Sequence, residues 1–101
     1  MIEKKYLKTK PLCKVKFALP SATVAPAKSV SVVGDFNDWD LQANPMKRQK
    51  SGLFASTVNL KTNNQYQFRY VLDGHIWLND EDADGFVASN ISMEKNGVLA
   101  L

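Results

Sequence analysis

From residue 12 to 19 the chain alternates. Val15, Phe17 and Leu19 fall on one face, and Lys14, Lys16 and Ala18 on the other. An alternation of period two marks a half-buried strand. It recurs over residues 53–60, where Phe54, Val58 and Leu60 share a face. It is clearest over residues 65–73, where Tyr66, Phe68, Tyr70 and Leu72 alternate with Gln65, Gln67, Arg69 and Val71. Shorter runs predict strands over 29–33, 75–78, 86–89 and 98–101. Between them lies turn chemistry: a Pro- and Ala-containing loop from Pro20 to Lys28, then Asn44-Pro45, Ser51-Gly52 and Asn63-Asn64. Asp73-Gly74 is a hairpin signal. No stretch has helical periodicity and none repeats. Several short strands with frequent turns predict an all-β chain, an immunoglobulin-like antiparallel β-sandwich.

Length makes this a single domain: 101 residues bury roughly two-thirds of their unfolded surface, enough for one core without staples. The division expected is a basic N-terminal extension over residues 1–11 and a sandwich module over 12–101. Cys13 is the only cysteine, so no internal disulfide forms; its parity with Val15 and Phe17 makes it a small buried apolar residue. Met1 to Lys10 lacks the apolar stretch of a signal peptide, and no run is long enough to span a membrane. A cytoplasmic location is expected.

The net charge of +3 is uneven, with Lys4, Lys5, Lys8, Lys10, Lys14 and Lys16 crowding the start. A nucleic-acid surface would interleave aromatics for stacking, and only Tyr6 is there. The lysines read instead as a solvated extension and as guards of a sheet edge. Neither nucleic acid nor membrane is expected as a partner. Asp80-x-Asp82-x-Asp84-Gly85 has the oxygen spacing of a calcium loop, but Ile91 occupies the twelfth position, where a bidentate glutamate is needed. No metal and no cofactor are expected. His75 is the only histidine, and no Ser/His/Asp or Cys/His arrangement suggests catalysis, so the chain is not read as an enzyme.

The tryptophans are the informative residues. Trp39 sits between Asp38 and Asp40 in the run Gly34-Asp35-Phe36-Asn37-Asp38-Trp39-Asp40. Burying it would drag carboxylates toward low dielectric, so it reads as a flat apolar ring held at the surface on a structured loop. Trp77 shares its face with His75 and Asn79, opposite Ile76 and Leu78. Arg69 lies on the face opposite Tyr66, Phe68 and Tyr70. Planar aromatics can cover the C–H faces of a sugar while arginine and asparagine bond its hydroxyls.

The motifs Val32-Val33-Gly34-Asp35-Phe36-Asn37-Asp38-Trp39, Pro45-Met46, Tyr66-Gln67-Phe68-Arg69-Tyr70-Val71-Leu72-Asp73-Gly74, Trp77 and Asn96-Gly97-Val98 occur in this order. Together they resemble the family 48 carbohydrate-binding modules, the isoamylase-type early-set domains. That family includes the glycogen-binding domain of the AMP-activated kinase β subunit. The likeness extends to short stand-alone bacterial members, which open with a similar Lys-rich stretch. The resemblance implies a non-catalytic module that binds glycogen, starch or maltooligosaccharides. It implies that Trp39 and Trp77 stack on glucose, that Arg69 contacts sugar hydroxyls and that Asn96 hydrogen-bonds the glucan. Ser92-Met93-Glu94-Lys95 departs from the family pattern before that asparagine. The alternative is an immunoglobulin-like adaptor whose aromatic patch docks a glycogen-metabolising enzyme or a kinase-type assembly.

Overall fold

Apolar alternation assigns one face of each long strand to the interior, and two antiparallel sheets meet across those faces. The computed structural model describes residues 1–89 and 94–101. In chain order the strands are β1 (Ile2–Tyr6), β2 (Leu12–Pro20), β3 (Val30–Gly34), β4 (Lys47–Arg48), β5 (Leu53–Lys61), β6 (Gln65–Leu72), β7 (Ile76–Leu78), β8 (Gly85–Ala88) and β9 (Lys95–Ala100). One sheet runs β1-β2-β5-β4, and the other β3-β6-β9-β8 with β7 paired to β6. The chain is thus an immunoglobulin-like β-sandwich.

The register carries out the alternation. Cys13, Val15, Phe17 and Leu19 on β2 stand opposite Leu60, Val58, Ser56 and Phe54 on β5. From the second sheet Val32, Phe68, Tyr70 and Leu99 meet them, all with no exposed surface. The Phe17 ring centroid lies 5.3 Å from that of Phe68, 5.7 Å from Phe36 and 6.4 Å from Tyr70. Offset and edge-on ring pairs of this kind add stabilisation beyond their buried area. Cys13 is part of this core, as its parity requires. The predicted Asp73-Gly74 hairpin forms with positive φ at both residues, 50° and 77°. The Asp73 carboxylate also accepts from the backbone N–H groups of Lys28 and Ser29 at 2.9 and 3.0 Å, tying the hairpin to the start of β3.

Three elements differ from the sequence expectation. Ile2–Tyr6, read as part of a basic extension, pairs with β2 as an edge strand from Ile2↔Phe17 to Tyr6↔Cys13. Its edge position explains why its sequence is mostly charged: an edge strand needs few apolar residues and lysine discourages further pairing. Ser21–Val24, expected as loop, forms one helical turn that buries Val24. Lys47–Arg48 adds a two-residue strand beside β5.

β3 and β6 approach closely where β3 ends. A Cβ placed on Gly34 would collide with the Gln67 carbonyl oxygen and would lie 2.9 Å from both Phe36 and Phe68 side-chain atoms. Backbone atoms cannot yield as side chains can. Gly34→Ala is therefore expected to lower stability by about 2–3 kcal/mol through overpacking. A urea midpoint within experimental error of the unaltered protein would show that the strands can separate freely.

Candidate functional site

Strand β6 buries both of its faces. Phe68, Tyr70 and Leu72 go to the core; Arg69 and Val71 go to the opposite face, where they are 6% and 1% exposed. Val33 stands across from Arg69 on one side, and Trp77 across from Val71 on the other. Sequence parity thus assigns Arg69 and Trp77 to the same sheet face, and the register bears this out. Outward orientation does not leave Arg69 open to water, however. Asn96, on β9, is likewise only 6% exposed.

Burying a guanidinium demands partners. The Arg69 Nε donates to Asn96 Oδ1 in a short hydrogen bond. Its Nη1 lies 3.5 Å from the Glu94 carboxylate. Its carbon centre sits 5.4 Å from the centroid of the Trp77 ring, a cation–π contact. Trp77 remains 41% exposed. The result is a ring with one side supported by a fixed cation and a large remaining area available to a flat apolar ligand surface.

Trp39 enters from a different element. The residues from Gly34 to Trp39 divide the work. Phe36 turns into the core against Phe17 and Tyr66. Asn37 holds the loop, accepting from Gly34 N at 3.0 Å and donating to Val32 O at 3.1 Å and Asn44 Oδ1 at 2.7 Å. Asp38 and Trp39 both adopt left-handed backbone conformations, φ 56° and 58°. Such a conformation costs on the order of 1 kcal/mol for a bulky residue, a strain that concentrates at functional positions. It is held by the Trp39 N–H bond to Gly34 O at 3.0 Å. Trp39 is half-buried, and its indole Nε1 donates to Asp35 Oδ1 at 3.1 Å.

The structure brings Arg69, Trp77 and Asn96 into one contact group. Among the described residues the two tryptophan rings make no ring contact with each other. They are linked through polar groups: Asp35 Oδ2 accepts from Gln67 N at 2.8 Å, and Gln67 Oε1 accepts from Asn96 Nδ2 at 3.0 Å. Asp35, Gln67 and Glu94 therefore connect to the candidate residues through contacts that sequence reasoning missed. Gln67 could have been found, since it lies two residues before Arg69 on the same face. Asp35 looked like a turn former, and Glu94 carried no signal.

The acidic loop divides its carboxylates between two cations, with Asp80 and Asp82 facing the Met1 amino group at 2.9 and 3.8 Å. Asp80 is buried and accepts from the Tyr70 hydroxyl at 2.6 Å. Asp84 takes Lys4 Nζ at 2.7 Å and Ala100 N at 2.8 Å. Among the described residues no cluster of His, Cys, Asp and Glu could hold a metal ion. Ile91, at the twelfth position of the calcium pattern, lies outside the described residues, as do Ser92 and Met93 of the segment that departs from the family pattern. Burial and the Asp80 carboxylate push the Tyr70 phenol far above its ordinary range, so it stays a hydrogen-bond donor. Burial alone would raise the Asp80 carboxyl. The hydrogen bonds from Tyr70, the Met1 amino group and the Asp82 amide outweigh it and hold the carboxyl below its ordinary value. His75 is exposed in the hairpin turn, with Nδ1 2.9 Å from the Asp73 carbonyl. No helix among the described residues is long and apolar enough to cross a membrane.

The chain is a small β-sandwich that carries an exposed tryptophan over a buried arginine–asparagine pair. The chain belongs to the carbohydrate-binding module 48 family (isoamylase N-terminal domain), whose sequence model matches residues 13–83. That span takes in Trp39, Arg69 and Trp77 and stops short of Asn96. The chain is similar to a protein of Prochlorococcus marinus (strain MIT 9301) named 1,4-alpha-glucan branching enzyme GlgB. The two are 34% identical over 75 residues, which make up 72% of this chain and 10% of the relative. A protein of the same name from Photobacterium profundum is 44% identical over 48 residues, 46% of this chain and 7% of the relative. The chain thus covers about a tenth or less of the curated relatives it matches.

Two stability effects follow from the buried polar groups. Arg69→Ala removes the donor to the buried Asn96 Oδ1, and is expected to cost about 1–3 kcal/mol in urea unfolding. Lys14→Ala, on the exposed face of β2, should stay within about 0.5 kcal/mol. Equal effects would mean that the Arg69 contacts contribute nothing. For Asp80, a folded pKa below the unfolded one adds stability above the ordinary carboxylate range, and that stability is lost as pH falls through the folded value. The advantage over Asp80→Asn should be complete at neutral pH and shrink as pH falls through the folded value. Urea midpoints of both proteins measured down that range check this; a constant difference would contradict it.

Proposed function

We propose that the chain is a non-catalytic module that binds α-glucans such as glycogen, starch and maltooligosaccharides, and that it works in the cytoplasm. Trp39 and Trp77 are the stacking residues of this reading, with Arg69 and Asn96 as its polar side. The observation that carries it is the Trp77 ring, 41% exposed while Arg69 supports it. An exposed, immobilised aromatic loses little conformational entropy when it meets the C–H face of a sugar. Family membership supports the sugar, and the name of the relatives, 1,4-alpha-glucan branching enzyme, supports the α-1,4-glucan. Arg69 and Asn96 already bond each other, so in this reading they present a preset donor–acceptor pattern at the ring edge rather than free groups.

A second reading has its own observation. Val87 on β8 is 38% exposed and shares with the exposed Trp77 the face of the second sheet turned away from the core, apolar surface of the kind that docks proteins. It predicts a partner protein on β7 and β8 and no dependence of that contact on glucan.

Titration with maltoheptaose, followed by tryptophan fluorescence, tests the glucan reading, with starch and cellulose pull-downs beside it. Saturable binding to maltoheptaose and starch, and none to cellulose, is expected. Trp77→Ala and Trp39→Ala should each weaken binding at least about tenfold, because a millimolar complex has only about 4 kcal/mol in total. The Trp77→Ala urea midpoint should fall by less than the roughly 3–5 kcal/mol that a buried tryptophan would cost, since the residue is 41% exposed. Unchanged glucan binding by both variants would reject the aromatic platform.

A further inference from the structure

We propose that Asp35 is a positioning residue that joins the two tryptophans into one site and thereby sets a minimum glucan length. The inference rests on the glucan-binding reading above and deepens it. Strands β3 and β6 pair from Val30↔Leu72 to Gly34↔Phe68, and then β3 ends in the 3-10 turn Asp35–Asn37. The next inward donor of β6, Gln67 N–H, has lost its backbone acceptor. Asp35 Oδ2 replaces it at 2.8 Å. The other oxygen of the same carboxylate takes the Trp39 indole N–H at 3.1 Å. One side chain thus completes the ladder and fixes the ring that would stack on sugar. Both bonds are charge-assisted, about twice as strong as neutral ones.

From Gln67 the link continues through Asn96 and Arg69 to Trp77. Along β6, the anchor of Trp39 is Gln67 and the strand partner of Trp77 is Val71. Four residues of strand separate these backbone anchors by about 13 Å, and among the described residues the two rings make no contact, so one sugar ring is not expected to reach both. A ligand touching both aromatics must contain several glucose units. A disaccharide occupies one ring and gains nothing from the alignment of the other.

Asp35→Asn is the informative variant. It is isosteric, and its single side-chain oxygen can still accept from Gln67 N–H. Its amide N–H₂ then faces the indole N–H, donor against donor, and releases the ring. The expected result is an affinity for maltoheptaose about tenfold lower, with affinity for maltose within about twofold. The Trp39 indole N–H resonance should shift, a readout that needs no ligand. In the Trp39→Phe background, which lacks that N–H, adding Asp35→Asn should change maltoheptaose binding by less than about twofold, since the coupling is gone. Asp35→Ala serves as a control for the ladder; it should also lower the urea midpoint, which Asp35→Asn should leave nearly unchanged. The inference is overturned if Asp35→Asn binds maltoheptaose as the unaltered protein does. It is also overturned if maltose loses as much, or if the effect persists in the Trp39→Phe background. Failure of the unaltered protein to bind any glucan would instead bring down the glucan reading, and this inference with it.

Discussion

Strand β6 constrains everything else. It pairs with β3 on one side and with β9 and then β7 on the other, and its residues from Arg69 to Leu72 are buried on both faces. One face places Phe68 and Tyr70 among the rings of Phe17 and its neighbours. The other places Arg69 under Trp77. Because side chains alternate with period two, a slip of one residue would exchange these sets, moving a guanidinium into the aromatic core. The core therefore fixes the register, and the register fixes the site. A site built on such a strand is held more rigidly than one carried on loops alone.

The loop after β3 obeys the same logic at smaller scale. Gly34 permits the close approach to β6, Phe36 secures the turn in the core, and Asn37 closes it with three hydrogen bonds. Only with those anchors in place can Asp38 and Trp39 occupy the left-handed region. The strain at Trp39 persists because the surrounding bonds over-determine the backbone.

The long alternating strands were legible because each is half-buried, and the period-two pattern reports that directly. Cys13, Phe17, Phe68 and Tyr70 went where their parity put them, and the Asp73-Gly74 turn was legible because few residue pairs accept positive φ. Edge strand β1 was not legible: with its charged Glu3, Lys4 and Lys5, it contributes backbone pairing rather than apolar area, so no hydrophobic signal marks it. Trp77 and Arg69 were assigned to the right face, but nothing in the sequence showed how deeply Arg69 is buried. Parity tells which way a side chain points, whereas depth depends on distant segments such as Asn96 on β9 and Glu94 beside it. The two-sided anchoring by Asp35 was hidden for a similar reason. One partner is four residues away and the other thirty-two, and nothing local distinguishes that aspartate from an ordinary turn former.

Burial of the polar pair bears on how such a surface could discriminate among sugars. An exposed arginine would lose water and side-chain entropy to each hydroxyl it met, leaving a small net gain. Arg69 has already lost that freedom on folding, being held by Asn96, Glu94 and the Trp77 ring. Its charge is shared between the Glu94 carboxylate and the Trp77 ring, while the open side of the ring offers shape and apolar area. In the proposed glucan reading, selectivity would come from geometry: a sugar surface flat enough to lie on Trp77 and curved enough to reach a second contact. A repeating polymer offers that match many times along its length. Rebinding at neighbouring repeats raises the effective concentration of ligand without any stronger single contact. Weak, shape-selective contact at one rigid face is therefore sufficient for retention on a polysaccharide, and a deep pocket is not required.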